Sequence, residues 1–330
     1  MIITRTPFRI SFFGGGTDYP SWYRQNKGAV LTTTIDKYCY ISVRHLPPFF
    51  EHKHRIVYSI IEMVKDIDEI KHPAVRGILK YLNIDFGLEI HHDGDLPART
   101  GLGSSSSFTV GLLNALYALL GKMKSKEELA KEAIFVEQNI LKENVGCQDQ
   151  IEVAFGGLNK ITFLPDDSFI VEPVILPPGK KDEFEKHLLL YFTGISRYAS
   201  EIAKEQLENI EKKKYELKIL HQMVEDGIKI LIGNGDLKDF GKLLDEAWQL
   251  KRSLSNKVSN PVIDEIYDRA KKIGVIGGKL LGAGGGGFML FFAPPELHQK
   301  IREEIKGLFV PFKFENQGSQ IIFYQPEEIK

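Results

Sequence analysis

Pro97-Ala98-Arg99-Thr100-Gly101-Leu102-Gly103-Ser104-Ser105-Ser106-Ser107 stands between a strand-like run and an apolar helix expected from about Ser105 to Leu120. Two glycines one residue apart let the backbone take positive φ and turn successive N–H groups into a concave nest that suits an anion. The serines that follow can cap the helix, where unpaired N–H groups and the dipole add to the pull on phosphate, and a hydroxyl can also ligate Mg2+. A flexible Gly/Ser linker is the alternative. A linker rarely runs straight into a helix as apolar as Phe108, Val110, Leu112, Leu113, Leu116, Leu119 and Leu120, so the stretch is read as a phosphate loop.

The 330 residues suffice for two domains with a core in each, and 43% hydrophobic with 26% charged is ordinary for a globular protein. A net charge of -1 argues against a general nucleic-acid or membrane-surface binder and leaves room for a local basic pocket. Cys39 and Cys147 cannot build a disulfide framework, and no cysteine/histidine cluster has zinc spacing, so a reducing cytoplasm is expected. Met1-Ile2-Ile3-Thr4-Arg5 runs directly into strand-like sequence, and no apolar run is long enough to span a bilayer.

The first hundred residues read as strands joined by turns. Gly28 to Arg44 alternates β-branched and aromatic residues, and His54 to Ser59 and Gly87 to His92 read as shorter strands. Leu46-Pro47-Pro48-Phe49-Phe50-Glu51-His52 is a loop, open to reading as a lid or as an exposed connection. His52, His54, His91 and His92 lack cysteine partners and an HExxH helix, so they are read as surface or hydrogen-bonded histidines rather than metal ligands.

Beyond the loop helix, Ser125-Lys126-Glu127-Glu128 is a capping box that opens a second helix. At about 100° per residue, Leu129, Ala130, Ala133, Ile134, Val136, Ile140 and Leu141 share one sector, and Glu137 falls in its middle. An ionised carboxylate alone in an interior is costly, so Glu137 must be ion-paired or bound to a cation; a phosphate loop already asks for Mg2+, which favours the metal. Asp149, in Val145-Gly146-Cys147-Gln148-Asp149-Gln150, sits near an element end, a place for a general base or for a turn aspartate.

Leu176-Pro177-Pro178-Gly179-Lys180-Lys181 is the expected boundary between a domain of residues 1–180 and one of residues 181–330. A buried strand from Leu188 to Phe192 follows, then amphipathic segments Ser196 to Lys213, Tyr215 to Ile232 and Asp236 to Leu250, the last running into Lys251-Arg252. Lys279 to Phe292 reads as a strand, a glycine turn (Gly282 to Gly287) and another strand. Its glycines fit GxGxxG, but a dinucleotide fingerprint needs a helix after them. A close backbone approach to the active site is the reading kept, beside tight inter-strand packing. A helix from about Pro295 to Leu308 and strand-like ends near Val310 to Glu315 and Gln320 to Tyr324 complete the pattern.

Three glycine-bearing motifs in this order resemble the GHMP-type small-molecule kinase superfamily, which includes galactokinase, homoserine kinase, mevalonate kinase and phosphomevalonate kinase. Pro97-x-x-x-Gly101-Leu102-Gly103-Ser104-Ser105 resembles its phosphate loop, and Gly282 to Gly287 its third motif. Thr6-Pro7-Phe8-Arg9, followed by Phe12-Phe13-Gly14-Gly15-Gly16-Thr17-Asp18-Tyr19, resembles its first. The resemblance covers nearly the whole chain. It implies an α/β (α+β) two-domain fold, ribosomal protein S5 domain 2-like at the N-terminal end and ferredoxin-like at the C-terminal end, with ATP and Mg2+ as cofactors. Residue by residue, it makes Asp149 the catalytic aspartate, because Gly146-x-x-Asp149-Gln150 resembles the galactokinase segment, and Arg9 the cation near the attacking hydroxyl. It assigns ATP binding to Pro97, Gly101, Leu102, Gly103, Ser104, Ser105, Ser106 and Ser107, and Mg2+ to Ser105 and Glu137.

Galactokinases read Gly-Glu-His-Thr-Asp-Tyr where this chain has Gly14-Gly15-Gly16-Thr17-Asp18-Tyr19. Asp18 is expected to grip sugar hydroxyls still, while Gly15 and Gly16 leave space with less negative charge, suited to a larger sugar with an anionic far end. With Thr193-Gly194-x-x-Arg197 and Ser259-Asn260-Pro261, this motif is similar to that of the D-glycero-D-manno-heptose 7-phosphate kinases. Those enzymes phosphorylate the anomeric hydroxyl to give the 1,7-bisphosphate, a precursor of nucleotide-activated heptose. The expected substrate residues are Gly15, Gly16, Thr17, Asp18, Gly284 and Gly285, with Arg197, Lys251 and Arg252 for the distal phosphate. An anomeric kinase of galactose or fucose type, and a kinase-fold binding or regulatory protein without turnover, are the alternatives. Neither nucleic acid nor a membrane is an expected partner.

Overall fold

The computed structural model describes residues 1–195, 204, 205 and 207–326. Strand β1 (Ile2–Phe13) leads through a glycine turn and helix α1 (Pro20–Asn26) to β2 (Gly28–His45), the longest strand. β3 (His54–Val57), β4 (Ile61–Val64), helix α2 (Pro73–Tyr81) and β5 (Leu88–Gly94) follow. Helices α3 (Ser104–Leu119), α4 (Lys126–Phe135) and α5 (Gln148–Phe155) precede the hairpin of β6 (Leu158–Phe163) and β7 (Phe169–Pro173).

The length of β2 organises this sheet. Its first part pairs antiparallel with β6 and its second part with β5, while β1 runs antiparallel along both. Helix α3 packs on β1 and β2 from one side and meets α4 and α5 on the other. It is buried on every face from Ser106 to Leu119, which explains why its sequence is apolar all round rather than striped.

The chain then forms α6 (Lys180–Lys186), β8 (Leu188–Phe192), α7 (Lys214–Ile232), α8 (Lys238–Arg252) and α9 (Pro261–Ile273). After these come β9 (Gly277–Leu280), β10 (Phe288–Phe292), α10 (His298–Ile305) and β11 (Leu308–Val310). The four strands make a second, antiparallel sheet in the order β11-β8-β10-β9. β12 (Phe314–Glu315) and β13 (Gln320–Tyr324) return to the first sheet, on β2 and β1 respectively. Sheet membership therefore departs from the break expected at residue 180. Phe12 of β1 meets Phe184 and Phe240 at centroid distances of 5.5 Å each, and Phe184 and Phe240 meet at 4.7 Å, so an aromatic cluster joins the two sheets.

Helices α2 and α9 occupy stretches in which no helix was expected. In both, proline at the first position follows a residue whose side chain accepts from the opening N–H groups: His72 for α2, Asn260 for α9. Among the described residues no helix is long and apolar enough to cross a membrane.

Candidate active site

The phosphate loop hangs between the two sheets. Arg9 N–H of β1 donates to Leu102 O at 2.9 Å, and Phe288 N–H of β10 donates to Thr100 O at 3.0 Å. Gly101 (φ 83) and Gly282 (φ 70) stand back to back: a Cβ on Gly101 would lie 2.4 Å from Leu281 O, and one on Gly282 would lie 2.5 Å from Gly101 Cα. The turn of Gly282 to Gly287 is thus the brace behind the loop, a close approach that only glycine permits. Gly103 is the N-cap of α3, in the left-handed region at φ 73, and no serine side chain caps the helix. The serine capping expected above is corrected by this geometry. It leaves the first-turn N–H groups of a 16-residue helix free of side-chain caps. Leu102 and Ser107 are buried, the latter donating to Pro7 O at 2.8 Å, and Pro97 and Ser105 are exposed. Ser104 Oγ accepts the Arg99 N–H at 3.2 Å.

Arg9 and Asp149 meet in a bidentate pair, with Nε to Oδ1 and Nη2 to Oδ2 both at 2.7 Å, while Nη1 donates to Gly101 O at 2.6 Å. Arg9 is 3% exposed, and Asp149 lies in the first turn of α5. A Cβ on Gly103 would sit 3.0 Å from Arg9 Cγ and 3.4 Å from Asp149 Oδ2, so the loop passes directly over the pair. A phosphoryl group in the loop and a hydroxyl beside Asp149 would be neighbours.

Asp18 completes this end of the cleft. Its Oδ1 accepts the Gly16 N–H at 3.0 Å, and burial, then the charge of Asp149, push its carboxyl up to about 6. A Cβ on Gly146 would lie 1.9 Å from Asp18 Oδ2, which is why Gly146-x-x-Asp149 needs its glycine. Thr17 is buried, and its hydroxyl donates to Gly14 O at 2.7 Å and Ala29 O at 2.9 Å, which closes the turn internally. A Cβ on Gly16 would lie 2.9 Å from Leu217 Cδ2, whereas one on Gly15 would meet only Gln148 Nε2, at 4.0 Å. The turn therefore presents open space beside Asp18.

Glu137 is fully buried in a single π-helical turn, Val136–Ile140, that continues α4. Its Oε2 accepts from Ser106 Oγ at 3.1 Å and Gln150 Nε2 at 2.5 Å; its Oε1 is buried with no well-formed hydrogen bond, although the Thr109 hydroxyl acts on the carboxyl. Burial, then the charge of Glu143, push the carboxyl up to about 8. An orphaned carboxylate oxygen beside a serine hydroxyl fits Mg2+, which takes one or two carboxylates together with phosphate oxygens and water. Among the described residues no group of three or more histidines, cysteines and acids could hold a metal by itself. Glu137 and Ser106 are the residues that would hold the ion; the hydroxyl that faces Glu137 is that of Ser106, not of Ser105.

Of the expected distal-phosphate cations, the two that lie among the described residues are engaged within the protein. Arg197 lies outside the described residues. Arg252 is paired with Asp264 at 2.9 Å, and Lys251 Nζ donates to Leu280 O at 2.8 Å and Gly282 O at 2.5 Å, underpinning the glycine turn. Gly284 and Gly285 pack on Val258, whose O accepts the Gly285 N–H at 2.9 Å, and Asn260 Nδ2 donates to Gly285 O at 3.2 Å. Sequence reasoning missed Ser106 as the partner of Glu137, and it missed Lys279, buried next to Arg9. A lone lysine between Gly278 and Leu280, in an otherwise apolar strand, was the available signal.

Residues 68–157 match the GHMP kinases N terminal domain, and residues 228–310 match GHMP kinases C terminal. The D-glycero-alpha-D-manno-heptose 7-phosphate kinase of Campylobacter jejuni is 30% identical over 332 residues, covering 96% of this chain and 97% of that one. The chain is a GHMP kinase. It is therefore a phosphotransferase with an alcohol group as acceptor and ATP as donor. A galactokinase of Pyrococcus furiosus is 29% identical over 87% of each chain. Among solved structures, a D-glycero-D-manno-heptose 1-phosphate kinase from Bacteriodes thetaiotaomicron superposes with a TM-score of 0.79 at 23% identity, covering 97% of this kinase and 98% of that chain. That likeness bears on the fold, a two-domain GHMP kinase architecture of mixed helix and sheet.

Proposed function

We propose that this GHMP kinase is a sugar kinase that transfers the γ-phosphoryl group of ATP to the anomeric C1 hydroxyl of D-glycero-D-manno-heptose 7-phosphate. The product is the 1,7-bisphosphate, used for nucleotide-activated heptose. The observation that carries this reading is the open space at Gly15 beside Asp18: the sugar-gripping acid is kept, and the side chains that would close the site around an unphosphorylated hexose are missing. The similarity to the Campylobacter jejuni enzyme supports the same substrate.

In this reading the C1 oxygen attacks the γ-phosphorus and the bond to the β,γ-bridging oxygen breaks. ADP leaves, and the hydroxyl proton passes to the Asp149 carboxylate. Arg9 holds that carboxylate through two hydrogen bonds and fixes its distance to the loop through Gly101 O. The N–H groups of the loop and of the first turn of α3 take the phosphates, and Asp18 orients the ring hydroxyls. Mg2+, held by Glu137 and Ser106, would neutralise phosphate charge. Arg197 is the candidate for the distal phosphate, since Lys251 is committed to the carbonyls of the glycine turn.

An ADP-release assay with heptose 7-phosphate, galactose, fucose and mevalonate tests the proposal. Heptose 7-phosphate is expected to give the highest kcat/KM. Turnover confined to an unphosphorylated sugar would replace the reading with a galactose- or fucose-type kinase, and silence on all four would favour a binding protein.

A further inference from the structure

Lys279 has no part in the chemistry described so far, yet it is 6% exposed and lies next to the reacting groups. Its Nζ donates at 2.7 Å to Phe12 O, on β1 between Arg9 and the Gly14–Asp18 turn. Among the described residues it makes no ion pair with a carboxylate. The charges that face it are cations, Arg9 from β1 and Lys251 from α8; Asp18 acts on Lys251, and Asp149 and Glu152 of α5 face Arg9. A buried ammonium without an acid partner is costly, and an apolar side chain of similar length would fill β9 without that cost. Burial, then Arg9, push the Lys279 ammonium down to about 7.

What the charge provides is a strong hydrogen bond at one particular place. β9 runs into Leu281 and Gly282, which back directly onto Gly101 of the phosphate loop, and Lys251 holds the carbonyls of Leu280 and Gly282 from below. At its other end the Lys279 bond grips β1 where that strand leaves Arg9 for the sugar turn. We propose that Lys279 is a positioning residue for phosphoryl transfer, tying the brace of the phosphate loop to β1 so that Arg9 and Asp18 stay in register with the loop.

The test compares Lys279→Met and Lys279→Arg using any acceptor that the wild-type kinase turns over, so the outcome does not depend on which sugar that is. Without ligands, Lys279→Met is expected to melt at or above the wild-type temperature, because an unpaired buried charge has gone. Its kcat is expected to fall on the order of 100-fold, with the KM for ATP little changed. Lys279→Arg, which can donate to the same carbonyl, is expected to recover part of kcat. Wild-type kcat should decline as pH rises through about 7, where the ammonium loses its proton, and that limb should be missing from Lys279→Met. Asp18 and Glu152 titrate in both proteins, whereas Lys251, which Lys279 helps to push down, moves up in Lys279→Met, so its own limb is expected to shift to higher pH there. A near-wild-type kcat in Lys279→Met would overturn the proposal. So would a loss of activity that follows a lowered melting temperature and is not recovered by arginine.

Discussion

Glu152 lies one helical turn beyond Asp149, fully buried, with Asn159 Nδ2 donating to Oε2 at 3.1 Å and burial pushing its carboxyl up to about 8. Between the ordinary glutamate range and pH 8 the native state keeps a proton that the unfolded state has released, so this residue makes stability fall as pH rises through that window. Lys279, held down near 7, acts in the opposite sense above pH 7, because there the unfolded state binds the extra proton. Between pH 5 and 7 Lys279 contributes little, and the protons of Asp18 and Glu137, which act in the same sense as that of Glu152, are common to wild type and a Glu152 variant. In urea titrations without ligands, Glu152→Gln, which can still accept from Asn159, should gain about 2 to 3 kcal/mol relative to wild type between those pH values. Equal slopes for the two proteins would remove the buried-proton account. Glu137 was legible in the sequence because its helical position put a carboxylate in an apolar sector. The choice between Ser105 and Ser106 was not, because four consecutive serines differ only in which way the first turn of α3 faces.

At the scale of elements, the glycine turn between β9 and β10 matters through its contact with the loop rather than through any side chain. Ala at Gly282 would place a Cβ 2.5 Å from Gly101 Cα at a φ of 70, so turn or loop must move. Gly282→Ala is expected to weaken Mg-ATP binding about tenfold, a cost of about 1.4 kcal/mol, while leaving the sugar turn intact. Calorimetric titration with Mg-ATP checks it; unchanged affinity would mean that the brace is dispensable. The turn's proximity to an active site was readable from its glycines and the strand that follows. Its partner, Gly101, was not, because the two lie far apart in the chain and touch only once both sheets are assembled. Helix α2 escaped the reading because nine residues between strands carry a short pattern, Ala74, Val75, Ile78 and Leu79, easily taken for a turn.

The whole molecule joins its two sheets more tightly than a Pro/Gly break suggests. β13 covers the edge of β1, β12 pairs with β2, and Phe184, Phe240 and Phe314 pack around Phe12. A fragment of residues 1–180 would lack all of these. It should show no cooperative thermal transition by circular dichroism, whereas the full chain should melt in one or two sharp steps; a sharply melting fragment would establish an independent N-terminal domain.

Local chemistry was written in the sequence: the positive-φ glycines of the phosphate loop, the capping box at Ser125, the stranded carboxylate of Glu137 and the strand–turn–strand around Gly282. These follow from residue type and spacing within a few positions, where backbone sterics and helical periodicity act. Tertiary structure alone decided that Gly146 makes room for Asp18, that Gly101 rests on Gly282, and that Lys279 reaches Phe12 O. Each of these joins residues more than a hundred positions apart, and only the burial of both sheets against one core brings them within hydrogen-bond or van der Waals reach.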